Sequence, residues 1–182
     1  MTEIAAGTVI GGRYRLERRI GEGGMGVVWA AVDVVSGQRC AVKLVKPGFG
    51  AGDAEAPRRF VREARAASAV RHPNVVRKLD VIELDDGSPV LVMELLDGES
   101  LRDLFARERR LAVGALAELM VPVVSAVGTA HALGIVHRDL KLENVMLLEA
   151  PNTRDLIKVL DFGLARSLFD AGSRATATGL IS

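Results

Sequence analysis

Three residues of this 182-residue chain have types and spacing that could do chemistry: Asp139, Asn144 and Asp161. The Asp139 carboxylate can accept a hydroxyl proton, and five residues later the Asn144 amide can hold a hard cation through its oxygen. Seventeen residues beyond Asn144, Asp161 opens the turn Asp161-Phe162-Gly163 with a second carboxylate. The first carboxylate lies in His137-Arg138-Asp139-Leu140-Lys141-Leu142-Glu143-Asn144. A base and two oxygen donors that could hold a metal are thus spaced along one stretch of chain.

These groups need elements to position them. Tyr14, Leu16 and Ile20 mark a first strand, Gly21 to Gly26 a glycine-rich turn, and Val27 to Val32 a second strand. Ser36-Gly37 turns the chain into a third strand over Arg39 to Val45. A helix entered through Pro57 runs to about Val70, and His72-Pro73-Asn74 breaks it. Val75 to Leu84 and Val90 to Leu95 add two strands joined through Asp85-Asp86-Gly87. Ser100 can cap a short helix, with Asp103 as its capping-box partner. Leu116, Leu119, Met120, Val123, Val124 and Val127 follow the i, i+3, i+4 rhythm of a longer helix, with Pro122 inside it or near its start. Ile135 to Asp161 reads as short strands and loops. The fold class is α+β, with a flexible lead-in over 1–12, a first lobe over 13–96 and a second over 97–182. The first lobe carries five antiparallel strands and one helix.

Gly21-Glu22-Gly23-Gly24-Met25-Gly26-Val27-Val28 fits G-x-G-x-x-G-x-V. Glycines let backbone amides approach phosphates, but a dinucleotide-binding turn or a plain hairpin reads the same way. A dinucleotide fingerprint leads into a helix, whereas this loop leads into a Val-rich strand. Lys43 follows Cys40-Ala41-Val42, and alternation places it on the face of Ala41. Taken alone it reads as a solvated surface lysine. Glu63 lies on the helix, and Glu55, ahead of Pro57, is the other acid available there.

Bulk properties narrow the class. The 24 basic and 23 acidic residues balance, leaving no electrostatic footprint for nucleic acid or an anionic membrane. The runs Arg58-Arg59 and Arg107 to Arg110 read as solvated helix faces. The single cysteine, Cys40, permits no internal disulfide, and with three scattered histidines it offers no zinc site. Cys40, His131 and Trp29 read as packing residues. No signal segment is expected at the N-terminus, charge, Gly or Pro is expected to interrupt every apolar stretch before membrane-spanning length, and the default location is cytoplasmic.

Taken in order, Gly21 to Val28, Ala41-Val42-Lys43, Glu63, His137 to Asn144 and Asp161-Phe162-Gly163 resemble the eukaryotic-like protein kinases, and most of all the bacterial serine/threonine kinases. The entry Gly12-Arg13-Tyr14-Arg15-Leu16 and the His72-Pro73-Asn74 turn are similar to that group, and the likeness covers nearly all of residues 11–182. It implies a bilobal kinase fold that transfers the γ-phosphate of ATP to a serine or threonine hydroxyl of a protein, with Mg²⁺ or Mn²⁺. Asp139 is then the catalytic base, Lys141 contacts the γ-phosphate, and Asn144 and Asp161 hold the metal. Lys43, held by Glu63, pairs with the α- and β-phosphates. Ile20, Gly21, Glu22, Gly23, Gly24, Met25, Gly26, Val27 and Val28 cover the nucleotide. Val28, Ala41 and Met146 sandwich adenine, Met93 is the gatekeeper, and Glu94 to Leu96 form the hinge. Arg138 resembles the arginine that pairs with an activation-loop phosphate, which makes Thr176 and Thr178 candidate autophosphorylation sites. Self-association is a further expectation.

Two features depart from the pattern. Leu142 replaces the proline common in the catalytic loop. The sequence ends at Ser182 without an Ala-Pro-Glu motif, so a partial second lobe is expected, with less cover for the apolar face of the 116–127 helix. The alternative reading is therefore a truncated ATP-binding or partner-binding protein with little or no transfer activity.

Overall fold

The computed structural model describes residues 4–23, 26–46, 53, 55–149 and 157–162. These residues form two compact units: one holds the chain through Arg65 together with Lys78–Leu95, the other Ala66–Arg77 and the chain from Leu96.

In the first unit, β1 (Val9–Ile10), β2 (Tyr14–Gly23), β3 (Gly26–Asp33), β4 (Arg39–Val45), β5 (Lys78–Glu83) and β6 (Pro89–Glu94) form one antiparallel sheet in the order β1-β2-β3-β4-β6-β5. The expected five strands become six. The segment read as a flexible lead-in supplies β1, which pairs with β2 and buries Ile10. A two-residue strand is too short to show alternation.

Strand order separates β2 from β5, yet the Tyr14 hydroxyl donates to Asp80 at 2.9 Å. The sheet must therefore curl. Its concave side encloses Leu16, Trp29, Ala31, Val42, Leu44, Val90 and Val92. Arg13, its guanidinium 5.2 Å from the Tyr14 ring centroid, lies 4.0 Å from Asp80 and pairs in bidentate fashion with Asp33 of the neighbouring β3 at 3.0 and 2.7 Å. Ser36 and the Val35 amide donate to the same carboxylate. A side chain at Gly11 (φ 56°) would meet Ile82 of β5, so glycine permits this approach.

Helix α1 (Ala56–Ala67) begins where Asp53 gathers the preceding turn. Asp53 accepts the Glu55 amide on its carboxylate and the Ala56 amide on its carbonyl, and Arg59 returns to it at 2.6 Å. The helix buries Ala56, Phe60, Ala64 and Ala67, with Glu63 half-buried on the same side.

The second unit contains β7 (Gly98–Ser100), α2 (Leu101–Glu108), α3 (Val113–Ala132), a 3-10 turn (Leu142–Asn144), β8 (Val145–Leu148) and β9 (Ile157–Val159). The last three strands form a sheet in the order β7-β8-β9. Ser100 caps α2 by accepting the Asp103 amide at 3.2 Å, and its hydroxyl donates back to the Asp103 carboxylate. The core joins Val75, Leu101, Leu104, Val123, Ala126, Ala130, Val145, Ile157, Val159 and Phe162.

Two expectations need correction here. The strand read from Val75 begins only at Lys78, because Val75 bridges Val159 and the Val76 amide donates to the Val159 carbonyl. The packed stripe of α3 is Val123, Ala126 and Ala130 flanked by Leu119 and Val127, whereas Leu116, Met120 and Val124 are exposed. Alanine contributes little to an apolar pattern, so a helix apolar on most sides does not reveal its inward face. The same helix is long and apolar enough, by length and composition, to cross a membrane, with Glu118 its one Asp, Glu, Lys or Arg. Gly114, Glu118, Pro122 and Gly128 interrupt its apolar run without ending the helix. A core helix passes the same test, and its inner stripe packs within this unit.

The Arg13 guanidinium holds the Asp33 carboxyl well below the usual carboxylate range, helped by the Ser36 and Val35 donors against the opposing effect of burial. The unfolded chain binds this proton more readily. The resulting stability is present above about pH 4 and is lost as pH falls further. Asp33→Asn should lower the urea midpoint at pH 7, and its difference from the parent should shrink below about pH 4. A difference constant with pH would contradict this role.

Candidate active site

In the first unit, strand register sets which residues share a face. Val28 pairs with Lys43 and Lys43 with Leu91; Ala30 pairs with Ala41 and Ala41 with Met93. Cross-strand partners share a face, so Val28, Ala30, Ala41, Lys43, Leu91 and Met93 line one side of the sheet, opposite the enclosed core. Lys43 is only 6% exposed. An ammonium at that depth is kept only with compensating negative charge or hydrogen bonds.

The glycine turn joins β2 and β3, and pairing continues to Gly23 and Gly26. Gly24 and Met25 lie outside the described residues. A Cβ at Gly26 would overlap the Leu44 carbonyl, so the close approach of β3 to β4 there requires glycine. The Glu22 carboxylate meets Arg19 at 3.1 Å and Lys46 at 3.3 Å, tying the turn to the end of β4. Ile20 is exposed, while Glu94 and Leu96 are half-buried where the first unit's chain ends. Glu55 lies ahead of the helix, where Arg58 pairs with it at 3.2 Å, and Glu63 lies on α1 itself.

The second unit gathers Asp139, Lys141 and Asn144 on one short loop. Lys141 Nζ lies 3.1 Å from Asp139 Oδ1 and 2.8 Å from Oδ2. The hydrogen bond with Asp139 raises the Lys141 pKa, keeping the ammonium charged. Asn144 Nδ2 donates to the Asp139 carbonyl at 2.7 Å and to its Oδ2 at 3.1 Å. With its nitrogen so engaged, Asn144 is left its amide oxygen for a cation. Met146 follows on β8, half-buried, paired with Ser100 and Lys158.

His137 links these parts and is 2% exposed. Its Nε2 lies 2.7 Å from the Leu160 carbonyl, and its Nδ1 accepts the Asp139 amide at 3.3 Å. Together these contacts place the proton on Nε2. Burial holds the imidazole below its ordinary pKa range, against the raising effects of Leu160, Asp161 and Asp139. Its ring meets Phe162 edge-on at 4.6 Å. The Leu160 amide donates to the Asn144 carbonyl at 2.8 Å, so the residue before Asp161 is held at both its amide and its carbonyl. Arg138 (φ 66°) and Asp161 (φ 56°) both adopt left-handed backbone, which non-glycine residues rarely occupy without support. Residue type alone gives His137 and Phe162 no role; their only signal in the sequence is membership of the two acidic motifs.

Among the described residues no three His, Cys, Asp or Glu side chains cluster as a metal site. Magnesium needs no such cage, since it commonly takes one or two protein oxygens and completes its shell with water and substrate phosphates. One carboxylate, Asp161, and one amide, Asn144, fit that mode.

Residues 14–180 match the family described as the protein kinase domain. The chain belongs to that family. It is 37% identical over 182 residues to the serine/threonine-protein kinase pkn3 of Myxococcus xanthus, covering 99% of this chain and 33% of that protein. It is also 37% identical over 179 residues to the serine/threonine-protein kinase PknA of Mycobacterium tuberculosis, covering 96% and 40%. This chain therefore spans between a third and two fifths of the length of these relatives. Among solved structures, the PknI kinase domain of Mycobacterium tuberculosis superposes with a TM-score of 0.78 at 30% identity, covering 90% of this chain and 64% of that one. The apo form of PpkA-294 reaches 0.81 at 23% identity over 98% and 67%, a likeness of fold.

The lowered His137 pKa means that the unfolded chain takes up a proton near pH 6.5 before the folded protein does. Stability linked to His137 is thus full above about pH 6.5 and declines as pH falls. His137→Phe keeps a ring against Phe162 but strands the Leu160 carbonyl and the Asp139 amide. A loss of about 1–3 kcal/mol is expected at pH 7, with a shallower decline between pH 7 and 5, both read from urea unfolding. Unchanged stability and slope would contradict the assignment.

Proposed function

We propose that this chain is the catalytic part of an ATP-dependent serine/threonine protein kinase, with Asp139 as the base. The observation that carries this reading is the cluster of Asp139, Lys141 and Asn144, a carboxylate, an ammonium and an amide on one short loop. Family membership and the serine/threonine kinases among its relatives support it.

In this reading Asp139 orients the substrate hydroxyl and accepts its proton as oxygen bonds to the γ-phosphorus. The bond from that phosphorus to the β,γ-bridging oxygen breaks, and ADP leaves. Lys141 neutralises charge on the transferring group and favours serine or threonine as the acceptor. Bound magnesium, ligated by Asn144 and Asp161, supplies charge neutralisation at the phosphates. Lys43, positioned by Glu63, holds the α- and β-phosphates under the glycine turn. Val28, Ala41 and Met146 hold adenine, Met93 limits the depth of its pocket, and Glu94 to Leu96 offer backbone groups to its edge. Phosphoryl transfer asks little covalent chemistry of the protein beyond positioning and electrostatic stabilisation. Thr176 and Thr178, which lie outside the described residues, are the candidate autophosphorylation sites.

ATP with magnesium should raise the melting temperature of the chain, and Lys43→Ala should remove most of that rise. No rise in the unaltered chain would exclude nucleotide binding. Transfer of radiolabelled phosphate to a generic basic protein should fall about 10²–10⁴-fold in Asp139→Asn, the scale of one general base. Undiminished transfer would remove Asp139 from its role. Nucleotide binding with no transfer in the unaltered chain would favour a binding module.

A further inference from the structure

We propose that Asn74, backed by His72, is a positioning residue for the metal-binding carboxylate of Asp161. The inference rests on the kinase reading of the second unit. It starts from a mechanical problem. Asp161 follows β9, a strand of only three residues, with one residue between them. One edge of β9 pairs with β8 through Val145–Val159, Met146–Lys158 and Leu147–Ile157. The other edge would be bare without the His72-Pro73-Asn74 turn.

That turn closes the edge. Asn74 Nδ2 donates to the Ile157 carbonyl at 2.8 Å, and the Val159 amide donates to the Asn74 carbonyl at 2.8 Å. The Val76 amide then donates to the Val159 carbonyl at 3.0 Å, and Val75 lies beside Val159 in parallel register. Asn74 is 7% exposed, so its amide works where water cannot replace it. An aspartate there would set a carboxylate against a carbonyl oxygen.

His72 holds Asn74 in turn. Its Nδ1 accepts the Asn74 amide at 3.1 Å, which places the ring proton on Nε2, 3.1 Å from the Ser125 hydroxyl of α3. A continuous polar path therefore runs from α3 through His72 and Asn74 to β9. Beyond β9, Leu160 is held by His137 and Asn144, and Asp161 then takes its left-handed backbone. Groups behind a metal ligand commonly set its affinity by orienting it, and their loss typically costs about 10–100-fold.

The test uses the full chain with manganese as the paramagnetic probe and a non-hydrolysable ATP analogue. Asn74→Asp should weaken manganese binding to the protein–nucleotide complex about tenfold or more. Nucleotide affinity without metal should stay within about twofold, and amide exchange at Val159 and Leu160 should quicken. His72→Phe keeps the ring's bulk but loses both nitrogens; it should shift manganese affinity in the same direction and serves where Asn74→Asp does not fold. Unchanged manganese affinity in a folded variant overturns the proposal. So does an equal loss of metal-free nucleotide affinity, the signature of general damage. Failure of the unaltered chain to bind manganese with nucleotide overturns both this inference and the kinase reading, whereas normal binding with indifferent variants overturns the positioning role alone.

Discussion

Burial keeps the His137 imidazole neutral, and a neutral imidazole donates at one nitrogen while accepting at the other. This chain uses both ends at once, bonding the Leu160 carbonyl and the Asp139 amide. The two carboxylates proposed for base and metal work thus hang from one ring. Charging that ring would cost it the acceptor for Asp139 and place a cation where water is absent. Packing against Phe162 supplies the burial that keeps it neutral. Asn144 completes the frame by bonding Asp139 with its side chain and Leu160 with its carbonyl.

The first unit meets a different constraint. A strand has two faces, and β4 uses both: Val42 and Leu44 enter the enclosed core while Ala41 and Lys43 take the opposite side. The curl that lets Tyr14 reach Asp80 gives the apolar face its enclosure. One face can then be dry enough for a core while the other carries the groups assigned to nucleotide.

Legibility tracked the range of the interaction. The strand pattern over Arg39–Val45 and the capping pair Ser100–Asp103 were readable because each depends on residues a few positions apart. The phase of α3 was not, since Ala126 and Ala130 became core only through neighbours distant in sequence. The strand expected from Val75 failed for the same reason: Val75 and Val76 found Val159 instead of extending β5. β1 was too short to carry a pattern, and its partner in β2 called it into the sheet. Among the site residues, identity and order were visible for Asp139, Lys141, Asn144 and Asp161. The means of holding them was not, because His137 and Asn74 act through backbone groups that any residue type presents.

By itself the sequence determined the family, the strand alternation that puts Lys43 with Ala41, and the inventory of groups proposed for phosphoryl transfer. These follow from residue type and local spacing, which are properties of the linear chain. Tertiary structure alone decided that Lys43 is buried, that His137 is neutral with its proton on Nε2, and that Asn74 closes the edge of β9. Each of these depends on excluding water and on backbone partners 23 or more residues away, as in the pairs His137–Leu160 and Asn74–Ile157. Desolvation is a property of the packed chain, and no spacing rule contains it.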